Sequence, residues 1–213
     1  MSRRVLLFGA VAVAFGLLAI TPRGDAAPNP TAFISDLGRA GIDSMGASVA
    51  PQQRIARFRQ LFQADFDVNE IARFAVGRYW QAMSPEQQDE FMRLFTEYTV
   101  KAYADKLGKY DDAQLRVTGT EPYGDETIVR SQVVRTNGSP VEMDWHLIPD
   151  KSGGFKITDV YVDRVSMKAT QRDEFARVIQ NNGGQPSALL AVLRQQLRGE
   201  GATPPMSPPM PAR

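Results

Sequence analysis

The sequence predicts an α+β fold: an antiparallel sheet of four strands, or slightly more, curved over a layer of helices drawn from both the N- and C-terminal parts of the chain. Three observations carry this. Apolar residues recur at helical spacing from Ile55 to Leu107, the pattern changes to strand-like runs between Gln114 and Met167, and helical spacing returns from Arg172 to Leu197. Helices, a meander and helices again describe one layer of each kind around a common core.

The chain opens with Arg3 and Arg4, an uncharged apolar run from Val5 to Ile20, and small residues around Ala26 and Ala27. That pattern predicts a secretory signal peptide over 1–26, cut after Ala26 or Ala27; the apolar run is short for a membrane span of roughly 20 residues. Residues 27–198 then form one domain, and 199–213, "GEGATPPMSPPMPAR", a Pro-rich tail expected to be disordered or extended.

In the first helical stretch Ile55, Phe58, Phe62 and Phe66 share a face. A second stretch, with Val68, Ile71, Ala72, Ala75 and Tyr79, starts at Asp67, which is placed to cap it. The third start is the clearest: "SPEQQ" supplies Ser84 as N-cap, Pro85 at the first helical position and Gln87 three residues after the cap. Phe91, Leu94, Phe95, Tyr98 and Ala102 follow as one apolar stripe that ends near Leu107 and Gly108.

Four strands are expected at 114–120, 127–136, 141–148 and 155–167. They are joined by "EPYGDE", "NGSP" and "PDKSGG", connections short enough for an antiparallel meander. Val141, Met143, Trp145 and Leu147 alternate with Glu142, Asp144 and His146, giving that strand one dry face. The last run does not alternate: Val160, Tyr161, Val162 and Val165 stand among Asp159, Asp163 and Arg164. It must meet apolar material on both faces or bend part-way. Helices at 172–181, with Phe175, Val178 and Ile179 inward, and at 187–197, with Leu189, Leu190, Leu193 and Leu197 inward, close the domain.

Composition excludes several classes of function. The chain has 25 basic and 24 acidic residues, and removal of the leader with Arg3, Arg4, Arg23 and Asp25 leaves a net charge of about −1, a poor basis for nucleic-acid binding. There is no cysteine and one histidine, so neither a disulfide framework nor a His/Cys metal cluster can be built. His146 sits opposite the dry face of its strand and reads as a surface residue. A triad of Ser131 or Ser166 with His146 and Asp144 lacks a nucleophile elbow. "DFDVNE" opens like a calcium loop but carries Glu70 at the position that demands glycine and Val76 at the twelfth. Asn137-Gly138-Ser139 is formally a glycosylation sequon that a hairpin turn explains equally well. What stands out is apolar bulk: both Trp, all six Tyr and nine of the eleven Phe lie beyond the leader, filling either an ordinary core or a gap between layers.

The stretch "FDVNEIARFAVGRYWQAMSPEQQDEFMRLFTEYTVKAYADKL" resembles the first signature of the MlaC family through Phe66, Asp67, Ala72, Arg73, Gly77, Trp80, Ser84, Phe91, Phe95 and Tyr103. "FKITDVYVDRVSMKATQRDEF" is similar to the second through Ile157, Asp159, Val160, Ser166, Arg172 and Phe175. Phe155 replaces the usual Trp, Arg164 stands where Gly is common, and the Pro-rich tail is extra. The likeness extends over most of 30–197. It implies a monomeric periplasmic carrier without catalysis or cofactor, also known as a toluene-tolerance protein. Such a carrier holds phospholipid chains in a cavity between sheet and helices and shuttles lipid between an outer-membrane lipoprotein complex and an inner-membrane ABC transporter. One branch of the family is tied to hopanoids, which makes a polycyclic lipid the alternative cargo. A secreted hydrolase or isomerase using the same cavity, with Asp144 or Asp159 near His146, is the alternative from another class.

On this resemblance the lipid-lining residues are Phe74, Tyr79, Phe91, Phe95, Tyr98, Ala102, Val129, Val133, Met143, Trp145, Leu147, Ile157 and Tyr161. Phe91, Phe95 and Tyr98 should face Met143, Trp145 and Leu147 across the cavity. The last strand should show one face to lipid and the other to protein, with Asp159, Asp163 and Arg164 toward its ends or the rim.

Overall fold

The computed structural model describes residues 28–45, 49–107, 113–136 and 138–199. The expected leader, the sequon asparagine and the Pro-rich tail beyond Gly199 lie outside these residues.

The chain enters through a helix that the spacing analysis did not find, α1 (Pro30–Met45). Its start is nonetheless well marked: Pro30 occupies the first turn, and Asn29 Oδ1 accepts from the backbone N–H groups of Thr31 (2.9 Å) and Ala32 (3.2 Å). Ile34 and Leu37 are buried against the sheet. Helix α2 (Pro51–Asp65) buries Phe58 and Phe62. The corner after it is pinned to the sheet, because Phe66 bridges Ile157 and the Asp67 N–H donates to the Ile157 carbonyl at 2.9 Å.

Asp67 caps α3 (Val68–Val76), accepting from the Glu70 N–H at 3.0 Å, which is the role the sequence gives it. The helix is shorter than the spacing predicts. Gly77 leaves it at φ 57° and ψ −134°, a conformation essentially reserved for glycine, so Tyr79 falls in a following 3-10 segment, Gly77–Ala82. Helix α4 (Pro85–Leu107) opens with the predicted reciprocal cap: Ser84 N–H donates to Gln87 Oε1 (3.0 Å), and Gln87 N–H to Ser84 Oγ (3.3 Å).

The sheet is an antiparallel meander of five strands in sequence order: β1 (Gln114–Tyr123), β2 (Glu126–Val134), β3 (Val141–Pro149), β4 (Phe155–Val162) and the two-residue β5 (Val165–Ser166). The last strand therefore departs from the expected single run. It is a hairpin, turning at Asp163 (φ 47°) and Arg164 (φ 68°), and α5 (Met167–Asn181) begins at once, with Ser166 Oγ accepting from the Ala169 N–H as its cap. Helix α6 (Pro186–Arg198) ends at Gly199 in the left-handed conformation.

The register also explains why β4 does not alternate. His146 pairs with Asp159 and Leu147 with Ile157, so Thr158 is an extra residue in a β-bulge. The bulge inverts the parity: Ile157 and Val160 both pack on the inner core, whereas Tyr161 turns to the outer face and stacks on His146.

Two hydrophobic clusters result. One joins α2, α3, α4, α5 and α6 around Phe91, Phe95 and Phe175. The other joins α1 to the inner face of the sheet around Ile34, Val129, Leu147 and Ile157.

Candidate functional site

Between the two clusters the layers do not close. A cavity of ≈250 Å³ is bounded by the sheet on one side and by α1, α2, α4 and the start of α5 on the other. Close-packed interiors hold few voids larger than a water molecule, so a gap of this size is a property of the architecture and not a packing defect.

The sheet contributes Leu115, Val133, Val141, Met143, Trp145 and Val160. From α2 come Phe58, Leu61 and Phe62; from α4, one turn apart, Phe95, Thr99 and Tyr103. Trp145 shows the cavity only carbon, because its Nε1–H is spent on Ser131 Oγ at 2.9 Å and that hydroxyl donates to the Met143 carbonyl at 3.2 Å. A large apolar surface is thus held in place by a hydrogen bond inside the sheet.

The polar lining gathers where β4 meets α5: Thr158, Asp159, Lys168 and Gln171. Asp159 is 4% exposed and fully engaged. Its Oδ1 accepts from the backbone N–H groups of Val160 (2.8 Å) and Lys168 (3.1 Å), and its Oδ2 from Ser166 Oγ (2.5 Å). A carboxylate so placed satisfies one orphan donor of α5, the Lys168 N–H, and complements the helix dipole. It stands mid-strand in the cavity wall, not toward a strand end or the rim as expected. Burial drives the Tyr103 phenol well above its usual range, with Tyr98, Asp159 and Glu174 adding to the rise, so its hydroxyl stays neutral.

Of the residues expected to line a lipid site, Phe95, Val133, Met143 and Trp145 come together here. The others lie elsewhere. Val129, Leu147 and Ile157 share the inner face but are wholly buried on α1. Phe91 and Tyr98 belong to the helical cluster, where Phe91 meets Trp80, Phe95 and Phe175, so they do not face Met143 and Leu147 across the gap. Ala102 is outside the lining. Tyr161 is on the opposite face of the sheet, while Phe74 and Tyr79 are on the far side of α3.

Sequence reasoning missed the α1 residues Leu37 and Ile42, the α2 triplet Phe58, Leu61 and Phe62, and the polar end. The spacing of Phe58, Leu61 and Phe62, three and four apart, is the signal that could have found the α2 wall.

His146 is not exposed as expected of a surface residue: its side chain is 12% exposed. Its Nδ1 lies 2.7 Å from Glu126 Oε2, and Thr158 Oγ1 donates to Glu126 Oε1 at 3.0 Å. The imidazole is on the outer face of the sheet, away from the cavity. Asp144, opposite Arg130 across the β2–β3 ladder, faces outward with it.

A second feature lies outside the cavity, where α3 packs on α5. An open cleft is lined by Asp67, Glu70, Arg73, Phe74, Arg78 and Arg172, with Gly77 at its base. A Cβ on Gly77 would stand 3.1 Å from Arg172 Nε, so the missing side chain is also what lets Arg172 cross the helix end. Arg73 and Gly77 from one stretch of sequence and Arg172 from the other thereby line one cleft.

The family model described as MlaC protein matches residues 42–195. Among solved structures, the phospholipid-binding protein from Ralstonia solanacearum, in complex with a phospholipid, shares 22% sequence identity with this chain. It superimposes with a TM-score of 0.66, covering 79% of this chain and 97% of that one. At that identity the likeness is one of fold.

Proposed function

The chain belongs to the MlaC family, and from that premise we propose that it is a lipid carrier: it takes up the acyl chains of a phospholipid between its sheet and its helices and carries them through the aqueous periplasm. The observation that carries this is the apolar cavity of ≈250 Å³ left between two otherwise well-packed clusters. Transport through water requires the chains to be covered, and each buried methylene contributes about 0.8 kcal/mol. The Ralstonia protein, with the same fold, was solved with a phospholipid bound.

The acyl chains contact Leu61, Phe95, Val133, Met143 and Trp145. The carrier exchanges its cargo with an inner-membrane ABC transporter and an outer-membrane lipoprotein complex, works as a monomer, and reaches the periplasm by cleavage of the 1–26 leader. It carries out no reaction on the lipid. In support, the one histidine and Asp144 are on the face of the sheet opposite the cavity, and Asp159 is committed to α5.

Trp145 supplies the test. A phospholipid brominated along its chains should quench part of the tryptophan emission of the delipidated protein saturably, with Trp80, outside the cavity, accounting for the unquenched part. Absence of saturable quenching would refute the assignment of the cavity to lipid.

A further inference from the structure

The cleft between α3 and α5 plays no part in holding acyl chains, and we propose that it is a second binding site, specific for a phosphoryl oxyanion. Three guanidinium groups line it, and among the described residues none of them is paired with a carboxylate. Each of the two carboxylates in the wall has one oxygen engaged within the protein, while Glu70 Oε2 is buried without a partner. Asp67 caps α3 through the Glu70 N–H, and Glu70 Oε1 accepts from Lys168 Nζ at 3.1 Å. The three guanidinium groups repel one another, and an anion from outside relieves that repulsion.

The guanidinium groups are also held ready. Each lies against an aromatic ring: Arg73 over Trp80 at 5.2 Å, Arg172 over Phe74 at 5.2 Å and Arg78 over Tyr79 at 5.1 Å, where its Nη2 also donates to the Tyr79 hydroxyl at 3.1 Å. A guanidinium covered on its face keeps its N–H donors directed outward in its plane, where they match the oxygens of an anion. A carboxylate is saturated by one or two such forks, whereas a phosphoryl group offers three oxygens to three arginines. The source can be soluble phosphate or the headgroup of a membrane lipid.

Nε–Hε NMR of the arginines and calorimetry, with inorganic phosphate added at constant ionic strength, test the site. The resonances of Arg73 and Arg172 should shift saturably. Arg73→Gln and Arg172→Gln should each weaken binding about tenfold or more, in keeping with the loss of a charge-assisted hydrogen bond. Arg130→Gln, whose parent residue pairs with Glu121 on the sheet at 2.6 Å, should bind as the wild type does. Should Arg172→Gln unfold, the exposed Arg78→Gln carries the same expectation.

A parallel arm separates the sources. Co-sedimentation with phosphatidylglycerol vesicles that is lost in Arg73→Gln assigns the site to a lipid headgroup, and phosphate binding without vesicle binding assigns it to a soluble phosphate. Phosphate that shifts no arginine resonance, or binds the arginine variants unchanged, would overturn the proposal. So would saturation by an acidic peptide alone, which would make the cleft a protein-docking surface. None of these outcomes depends on whether the cavity holds lipid.

Discussion

Asp163 and Arg164 form the two-residue turn between β4 and β5, and both have positive φ. Turns of this kind ordinarily use Asn-Gly or Asp-Gly, because a Cβ in the left-handed region costs roughly 1–2 kcal/mol. Arg164→Gly removes that cost at φ 68°, against about 0.5–1 kcal/mol of extra freedom in the unfolded chain. A gain of up to about 1 kcal/mol, or 2–4 °C in Tm, is expected in a thermal melt. A lower Tm would mean that the Arg164 side chain makes a contact that outweighs the strain. Asp159 bears the opposite prediction. Three hydrogen bonds converge on its buried carboxylate, and its removal leaves the Lys168 N–H of α5, the Val160 N–H and the Ser166 hydroxyl unmatched. Asp159→Ala should lower stability by about 2–4 kcal/mol in urea denaturation. A loss under half a kilocalorie would show that α5 caps itself without β4.

At the scale of elements, the position of α1 depends on close approach to β1. A Cβ on Gly38 would stand 2.7 Å from Leu115 Cδ2 and 2.8 Å from Leu115 Cβ. The second contact is with an atom fixed by the strand, so rotation of the Leu115 side chain cannot relieve it. Alanine favours a helix by about 1 kcal/mol over glycine, but the overlap costs about 1–3 kcal/mol. Gly38→Ala should therefore lower the Tm by a few degrees, whereas a rise would show α1 free to slide off the sheet. The elements that could be read from sequence were those whose local signals agree. Ser84, Pro85 and Gln87 announce α4, and Val141 to Leu147 alternate as a half-buried strand should. Helix α1 escaped because its apolar positions are spaced by Gly38 and Gly41 and follow soon after the apolar run from Val5 to Ile20. The β4–β5 hairpin escaped because Asp163-Arg164 lacks the glycine that marks such turns. Periodicity also found the buried face of α4 without saying what covers each part of it. Both Phe91 and Phe95 meet Phe175 of α5, yet only Phe95 also reaches the cavity, and only the tertiary arrangement separates the two.

For the whole molecule, the assignment to lipid rests on the space left between the layers. The sheet and helices are each anchored by a core of their own, so the fold does not depend on the gap being closed. Blocking the gap should abolish cargo while sparing the fold. Val133, on β2 in the cavity wall, is suited to this because a strand accepts an aromatic side chain readily. Val133→Trp is expected to melt within a few degrees of the wild type. Native mass spectrometry of the protein purified from its own host decides between a filled and an empty gap. The wild-type protein should be heavier than its chain by the mass of bound lipid, and the Val133→Trp protein, equally folded, should have the mass of the chain alone. A wild-type protein that never carries lipid, or a Val133→Trp protein loaded as fully as the wild type, would contradict the assignment to lipid.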